Sequence, residues 1–303
     1  MEQKKWDLFA LASIPLAMTL GNSVLIPVLP VMEKELGITA FQSSLIITVY
    51  SLIAIVLIPI AGYLSDRIGR KKVMIPSLIL AAAGGVIASW AAWSMDNPYM
   101  MILVGRFLQG AGAAGAFPVV LPTVGDMFSE EDEMSKGLGI IETANTFGKV
   151  LSPVLGAVLA AFIWYLPFIS IPILSIIALF LIIKFVKTPK HQEEKKKIFH
   201  EFIQGVKHTF KHNGRWLLAV FVIGCLNMLV LFGFLFHLST LLESEYGIYG
   251  VKKGLVLAIP LCFSVLPLTY AARRLEAIKE SCVFLSLSAT AWGQQLCSLF
   301  RTI

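Results

Sequence analysis

Residues 62–72 read GYLSDRIGRKK and lie between two long apolar runs. Two glycines, one aspartate and four basic residues fall within this short stretch. Glycine adopts backbone conformations that other residues avoid, so Gly62 and Gly69 permit close helix approach and a tight turn. Asp66 can pair with neighbouring basic groups or with a helix N-terminus. The stretch therefore predicts a short, charged connection between two membrane-spanning helices.

Apolar runs like the two that flank this connection recur along the chain. Of the 303 residues, 57% are hydrophobic and 15% are charged, and the mean hydropathy is +0.78. A run of about 18 apolar residues crosses a ~30 Å hydrocarbon core as a helix, which satisfies its own backbone groups in lipid. We predict spans at 8–30, 42–63, 73–93, 99–122, 137–160, 165–185, 215–237 and 251–271, with a weaker ninth at 281–300. The expected fold class is an all-α polytopic membrane protein.

The net charge of +6 does not require a nucleic-acid partner, because the positions of the charges along the chain explain it. Nearly all charged residues fall between the apolar runs. If the N-terminus is cytoplasmic, nineteen of the 25 Lys and Arg residues lie on inner segments and four on outer segments. This asymmetry fits the positive-inside rule. We expect a plasma-membrane protein surrounded by the lipid bilayer, with a cytoplasmic N-terminus, a retained first span and no nucleic-acid partner.

The longest polar interval divides the chain into three predicted parts. Residues 1–185 form a first bundle of six spans, 186–214 form a cytoplasmic connector, and 215–303 form part of a second bundle. Apolar residues at helical spacing within the connector indicate either an amphipathic helix on the inner membrane surface or a solvated linker helix. The four cysteines lack metal-ligand spacing. We predict no metal site and no cofactor.

The quoted loop resembles the Gly-x-Leu-x-Asp-Arg-x-Gly-Arg-Lys-Lys signature of the major facilitator superfamily of transporters. The resemblance implies two six-helix halves with a substrate site between them near the midplane. It also implies a conformational latch at the inner rim, which in the family involves an eleventh helix that this sequence does not supply. Asp126, at the inner end of the fourth span, is placed to pair with Arg67 or Arg70. The expected gating residues are Gly62, Asp66, Arg67, Gly69, Arg70, Lys71 and Asp126.

Three further stretches resemble family patterns, the first and third those of its drug/proton antiporter branch. They are LGNSVLIPVLP at 20–30, GRFLQGAGAAG at 105–115, and a series of small residues around Pro153 in the fifth span. Two glycines of the antiporter pattern are replaced here by Ser152 and Ala157. Small residues let helices approach closely in lipid, and proline bends a helix. The expected packing and bend residues are Pro27, Pro30, Gly110, Gly112, Gly139, Gly148, Ser152, Pro153 and Gly156.

Ionisable residues inside the predicted spans indicate a polar pathway. An arginine in the membrane costs at least ~2.5 kcal/mol, so Arg106 is expected to face the bundle interior. Glu142 and Lys149 lie seven residues apart on one helix face, about 10 Å at the usual rise. They either join Arg106 in one site or point to different neighbours and snorkel. The first span offers Asn22 where many antiporters carry an acid. The expected substrate and proton pathway comprises Asn22, Arg106, Gln109, Glu142 and Lys149.

The resemblance predicts proton-coupled efflux of a small organic molecule by alternating access. Uptake or exchange of an anionic metabolite is a rival, favoured by Arg106 and Lys149. A third hypothesis is a non-transporting product, because we expect a truncation or a shifted reading frame within 272–303. The sequence shows no nucleophile and base arrangement, phosphate loop or metal cluster, so we do not expect an enzyme. The predicted partners are lipid, a small-molecule substrate and protons.

Overall fold

The computed structural model describes residues 4–128, 130–186, 199–248 and 250–260. These residues form helices without any β-strand. The helices are α1 (Lys5–Ser23), α2 (Leu29–Leu36), α3 (Ala40–Ile68), α4 (Arg70–Ser94), α5 (Tyr99–Met127), α6 (Glu131–Phe162), α7 (Leu166–Phe185), α8 (Phe199–Ser244) and α9 (250–260). Seven helical stretches among the described residues are long and apolar enough to cross a membrane. The prediction of an all-α polytopic fold is confirmed.

The charged connection at 62–72 is far more helical than predicted. Helix α3 continues to Ile68 and α4 begins at Arg70, so Gly69 alone joins them. Its φ of +106° lies in a region that residues with a Cβ rarely adopt. The predicted tight turn at Gly69 is thus present. Helix α3 extends beyond the predicted span 42–63, because polar residues past the apolar run keep their helical hydrogen bonds.

The first span is a broken helix. A short 3₁₀ turn at Ile26–Val28 separates α1 from α2, with Pro27 at its start and Pro30 in the first turn of α2. Proline lacks the N–H that an uninterrupted α-helix needs, so the break follows from the two prolines. Together α1 and α2 extend the first stretch to Lys5–Leu36, beyond the predicted 8–30. Pro153, by contrast, lies inside a continuous α6.

The chain divides into two compact units, with the boundary between Phe202 and Ile203. In the first unit, α5 packs between α3 and α4, and α1 packs against α6 and α7. Helix α4 also packs on α7, so the six spans form one bundle. A Cβ added to Gly84 would come within 2.5 Å of the Gly105 carbonyl oxygen, so α4 and α5 touch backbone to backbone there.

The predicted packing residues divide into close contacts and open positions. A Cβ at Gly110 would overlap the Tyr50 carbonyl oxygen, and one at Gly156 would overlap the Val24 carbonyl oxygen. A Cβ at Gly112 would lie 2.5 Å from the Ser77 carbonyl oxygen, and one at Gly148 would lie 3.3 Å from the Leu16 carbonyl oxygen. Ser152 is buried in α6, where its hydroxyl donates to the Lys149 carbonyl oxygen.

Two of the predicted packing glycines lie at open positions within the described part of the chain. Nothing there lies within 4 Å of a Cβ added at Gly62 or Gly139. Sequence spacing identified small residues but could not show which face of a helix meets a neighbour.

Buried apolar residues of the first bundle form two clusters at different heights. One cluster includes Leu11, Leu78 and Val120, and the other includes Leu25 and Ile102. Along α1 and α5, the residues between the two clusters include polar ones. A polar layer therefore lies between two apolar layers.

The second unit consists of α8 from Ile203 onward and α9 among the described residues. Helix α8 contains one non-helical residue, Asn213, with φ −117° and ψ 15°. The helix predicted within the connector corresponds to the part of α8 before Asn213. Glu243, near the other end of α8, and Lys253 of α9 form a buried ion pair of 2.9 Å. The predicted ninth span, 281–300, and residues 261–271 of the eighth lie outside the described residues.

Candidate functional site

The polar layer of the first bundle is centred on Arg106. This side chain is completely buried about two turns into α5, with 0% of its surface exposed. Its Nε–H donates to the Ile46 carbonyl oxygen at 2.8 Å. One terminal nitrogen donates to the Gln109 side-chain oxygen and the other to the Asn22 side-chain oxygen. The guanidinium thus joins α1, α3 and α5 in the bundle interior. The cost of an arginine in lipid predicted this position.

An aromatic ring completes the surroundings of this cation. The Arg106 guanidinium carbon lies 4.6 Å from the centre of the Tyr50 ring, a cation–π distance. Sequence reasoning missed Tyr50 and the Ile46 carbonyl group. The two residues are four apart on α3, and residues at this spacing share a helix face. This four-residue spacing was the sequence signal that could have placed Ile46 and Tyr50 on the same side of α3.

The Arg106 site borders a small cavity. Its volume is about 10 Å³, close to the smallest space that holds one water molecule. The lining residues are Ala17, Met18, Gly21, Tyr50, Ala81, Arg106, Gln109 and Ile171. Gln109 is 1% exposed, and its side-chain nitrogen has no hydrogen-bond partner among the described residues.

Glu142 belongs to a second polar group, between α6 and α1. The Asn145 amide donates to the Glu142 carboxylate at 3.0 Å. The Thr19 hydroxyl donates to the Asn145 side-chain oxygen at 2.6 Å. Glu142 is half-buried about three turns into α6. Asn145 and Thr19 were missed, although Asn145 lies three residues from Glu142 on the same helix face.

The predicted meeting of Arg106, Glu142 and Lys149 does not occur. Among the described residues, Arg106 is bound by neutral groups and Glu142 is bound by Asn145. The half-buried Lys149 makes no ion pair with Glu142, because seven residues of helix separate their side chains. Of the expected pathway residues, the structure brings Asn22, Arg106 and Gln109 together and leaves the other two apart.

The inner-rim cluster, defined here as Asp66, Arg70 and Asp126, joins α3, α4 and α5. Arg70 forms an ion pair with Asp66 one turn away and donates to Asp126 at 3.0 Å. Its side chain is 20% exposed, whereas those of Asp66 and Asp126 are about half exposed. Arg70 also donates to the Ser65 hydroxyl at 2.8 Å. The partner of Asp126 is therefore Arg70, one of the two that its position allowed.

The other basic residues of the loop bind elsewhere. Arg67 donates to the Tyr63 hydroxyl at 3.4 Å on its own helix. The Lys71 ammonium donates to the carbonyl oxygens of Ile183 at 3.1 Å and Val186 at 2.7 Å. These carbonyl groups lie at the C-terminal end of α7, where a cation complements the helix dipole. The sequence did not indicate this cap.

The described residues contain no group of three or more His, Cys, Asp or Glu side chains arranged to hold a metal ion. The chemistry that the geometry offers is recognition of polar and charged groups within a helical bundle.

Comparison with known proteins agrees with the loop signature and the helical bundle. The family model of the Major Facilitator Superfamily matches residues 11–296. The chain is 57% identical over 258 residues to the bacillibactin exporter of Bacillus subtilis (strain 168), covering 85% of this chain and 64% of that protein. It is 26% identical over 171 residues to the quinolone resistance protein NorA of Staphylococcus aureus, covering 56% of this chain and 42% of NorA. The chain thus spans less than two thirds of the length of these relatives.

Solved structures with the same fold are transporters by their descriptions. The human organic anion transporter MFSD10 (TETRAN) superposes with a TM-score of 0.67 at 18% identity, covering 89% of this chain and 72% of that one. A D-xylose–proton symporter superposes with a TM-score of 0.63 at 16% identity, covering 88% and 69%. At these identities the likeness shows the fold. Since the family model spans most of the sequence, the chain belongs to the Major Facilitator Superfamily.

Proposed function

We propose that the full-length protein is a secondary active exporter of a small organic molecule, with bacillibactin as its first candidate substrate. The observation that carries this proposal is the 57% identity to the bacillibactin exporter over 85% of the chain. The buried Arg106 site supports it, because ionisable groups are kept inside a membrane bundle at a cost and mark substrate or ion pathways.

An export assay tests this proposal. A bacterial strain that makes bacillibactin and lacks its exporter receives either the chain as it stands or a chimera. The chimera joins residues 1–260 to the remaining length of the Bacillus subtilis exporter, since the chain covers 64% of that protein. We expect the chimera to restore bacillibactin in the medium, measured by mass spectrometry. A chimera that reaches the membrane and exports nothing contradicts the proposed substrate.

We further propose that protons drive export and that Glu142 is the coupling group. The support is its place: a half-buried carboxylate inside a candidate span, hydrogen-bonded to an amide that Thr19 orients. A carboxylate that binds and releases a proton as α1 and α6 rearrange would link proton flow to transport.

Glu142→Gln keeps the shape of the side chain and replaces the carboxyl group with a neutral amide. In proteoliposomes that contain the chimera, we expect this variant to lose the dependence of transport on a proton gradient. Counterflow of substrate down its own gradient should persist. Glu130→Gln, at an exposed residue just before α6, is the matched control and should stay proton-driven. If Glu142→Gln also stays proton-driven, the residue is a structural partner of Asn145.

We also propose that the N-terminus, the 62–72 connection and the 186–214 connector face the cytoplasm of a plasma-membrane protein. The support is the bias of nineteen basic residues on inner segments against four on outer ones. An impermeant thiol reagent should label single cysteines placed near Lys34 or Lys252 in intact cells and spare those near Lys71 or Lys195. The reverse labelling pattern contradicts this orientation.

A further inference from the structure

The charge of Arg106 is not balanced by any carboxylate among the described residues. Its hydrogen bonds go to the Ile46 carbonyl oxygen and to the side-chain oxygens of Gln109 and Asn22. The centre of the Tyr50 ring lies 4.6 Å from the guanidinium carbon. Neutral acceptors reduce the cost of burying a cation but leave its charge in place. By contrast, the second buried cation, Lys253, has the Glu243 carboxylate at 2.9 Å.

Unused hydrogen-bond donors lie beside this charge. A guanidinium carries five N–H groups, and three of them donate to described residues. The Gln109 side-chain oxygen accepts from Arg106, and this contact fixes the orientation of the amide. The Gln109 side-chain nitrogen is therefore a donor, and it is buried without a partner. An unsatisfied buried donor costs about 1–3 kcal/mol, so such groups are rare in folded proteins and require an explanation.

The cavity beside these donors fits the end of a ligand. Arg106, Gln109 and Tyr50 carry the polar groups of its lining, and the other lining residues are apolar or small. At about 10 Å³ it admits one water-sized group in the present conformation. A water molecule there would satisfy the Gln109 donor but would leave the cation uncompensated. An anionic oxygen would satisfy both.

We propose that Arg106 and the Gln109 side-chain nitrogen bind an anionic oxygen, a carboxylate or phenolate, of the transported molecule. This inference rests on the proposed export function and adds the chemical class of its substrate. The guanidinium supplies the positive charge, and Gln109 supplies a second donor that sets the position of the bound oxygen. Asn22 and Tyr50 hold the guanidinium in place from α1 and α3.

Formate is the probe for this site, since it is the smallest carboxylate, and formamide is its neutral counterpart. The unfolding midpoint of the purified chain in detergent is measured with sodium formate, formamide or sodium chloride at equal concentrations. A ligand that binds only the folded state raises this midpoint. At saturating formate we expect a rise of about 2 to 4 °C over chloride. Formamide should produce no rise.

Two variants locate the binding site of formate. Arg106→Gln removes the cation and should abolish the rise caused by formate. Gln109→Leu keeps the cation and should at least halve the rise, which preserves the test if Arg106→Gln does not fold. Arg70→Gln removes a cation from the inner-rim cluster instead and should leave the rise unchanged.

Each other outcome overturns the proposal. Equal rises with chloride and formate show that the site takes a free halide rather than the acidic group of a substrate. No rise with any anion shows that the donors serve helix packing alone. An unchanged rise in both Arg106→Gln and Gln109→Leu places formate elsewhere on the protein. The export assay is separate: formate binding without bacillibactin export refutes the substrate, and export without formate binding refutes the anion site.

Discussion

Arg106 and Arg70 are the same residue type in two opposite surroundings. Arg106 is completely buried and is held by neutral groups, whereas Arg70 is 20% exposed and has carboxylates of Asp66 and Asp126. Near water an ion pair contributes little, with typical values of about 0–1 kcal/mol, and its loss is tolerated. Inside the bundle an unbalanced cation is expensive. We infer that the inner-rim cluster adjusts conformation, whereas the Arg106 site recognises charge as proposed above.

The largest expected effect comes from disturbing the helix contact that supports the Arg106 site. In Gly110→Val, the new side chain overlaps the Tyr50 carbonyl oxygen, so α3 must move away from α5 and carry the Tyr50 ring off the guanidinium. Overpacking of this kind typically costs about 1–3 kcal/mol, and contact with backbone leaves little room for relaxation. We expect a lower unfolding midpoint in detergent and lower membrane levels.

Gly139→Val is the matched control for this change. It introduces the same β-branched side chain into a helix, where nothing described lies within 4 Å of the added Cβ. Equal losses of stability in the two variants would show that helix propensity, rather than the contact between α3 and α5, determines the result.

A smaller effect is expected from the inner-rim cluster. Asp66→Asn removes charge, keeps shape and weakens the pair with Arg70, whose partner carboxylate is about half exposed. Since such pairs are worth up to about 1 kcal/mol, we expect a two- to fivefold fall in flux and nearly unchanged membrane levels. Asp132→Asn, which breaks the exposed pair of Asp132 with Lys136 at 3.6 Å, should change neither quantity. Loss of the Asp66→Asn protein from the membrane would assign the residue to folding instead.

The sequence predicted the inner-rim cluster better than the Arg106 site, for a physical reason. Arg70 and Asp126 lie at helix ends, where the order of spans already brings charges to one membrane surface. The partners of Arg106 depend on which face of α3 meets α5, and this is set by the close approach of Gly110 to Tyr50. The positions of the apolar runs in the sequence do not show how α3 is rotated about its own axis. The cost of the arginine alone indicated that it faces the interior.

The same limit explains why the sequence left the neighbours of Glu142 and Lys149 open. Helix counting placed them on one side of α6, but it could not show that Asn145, which Thr19 binds in turn, would bind the carboxylate. The helices extend beyond the predicted spans for a different reason. Hydropathy ends where charges begin, whereas α3 continues through Asp66 to Ile68 because its backbone hydrogen bonds do not depend on lipid.

Arg106→Gln and Arg70→Gln, compared in the exporting chimera, separate charge recognition from helix joining. Bacillibactin released into the medium is divided by the amount of protein in the membrane for each variant. A hydrogen-bonded charge in a buried site is worth about 1.5–3 kcal/mol, so we expect Arg106→Gln to lower export at least tenfold. Arg70→Gln should lower it less, by about fivefold at most. If Arg106→Gln exports as well as Arg70→Gln at equal membrane levels, the buried arginine only joins helices and does not recognise the substrate.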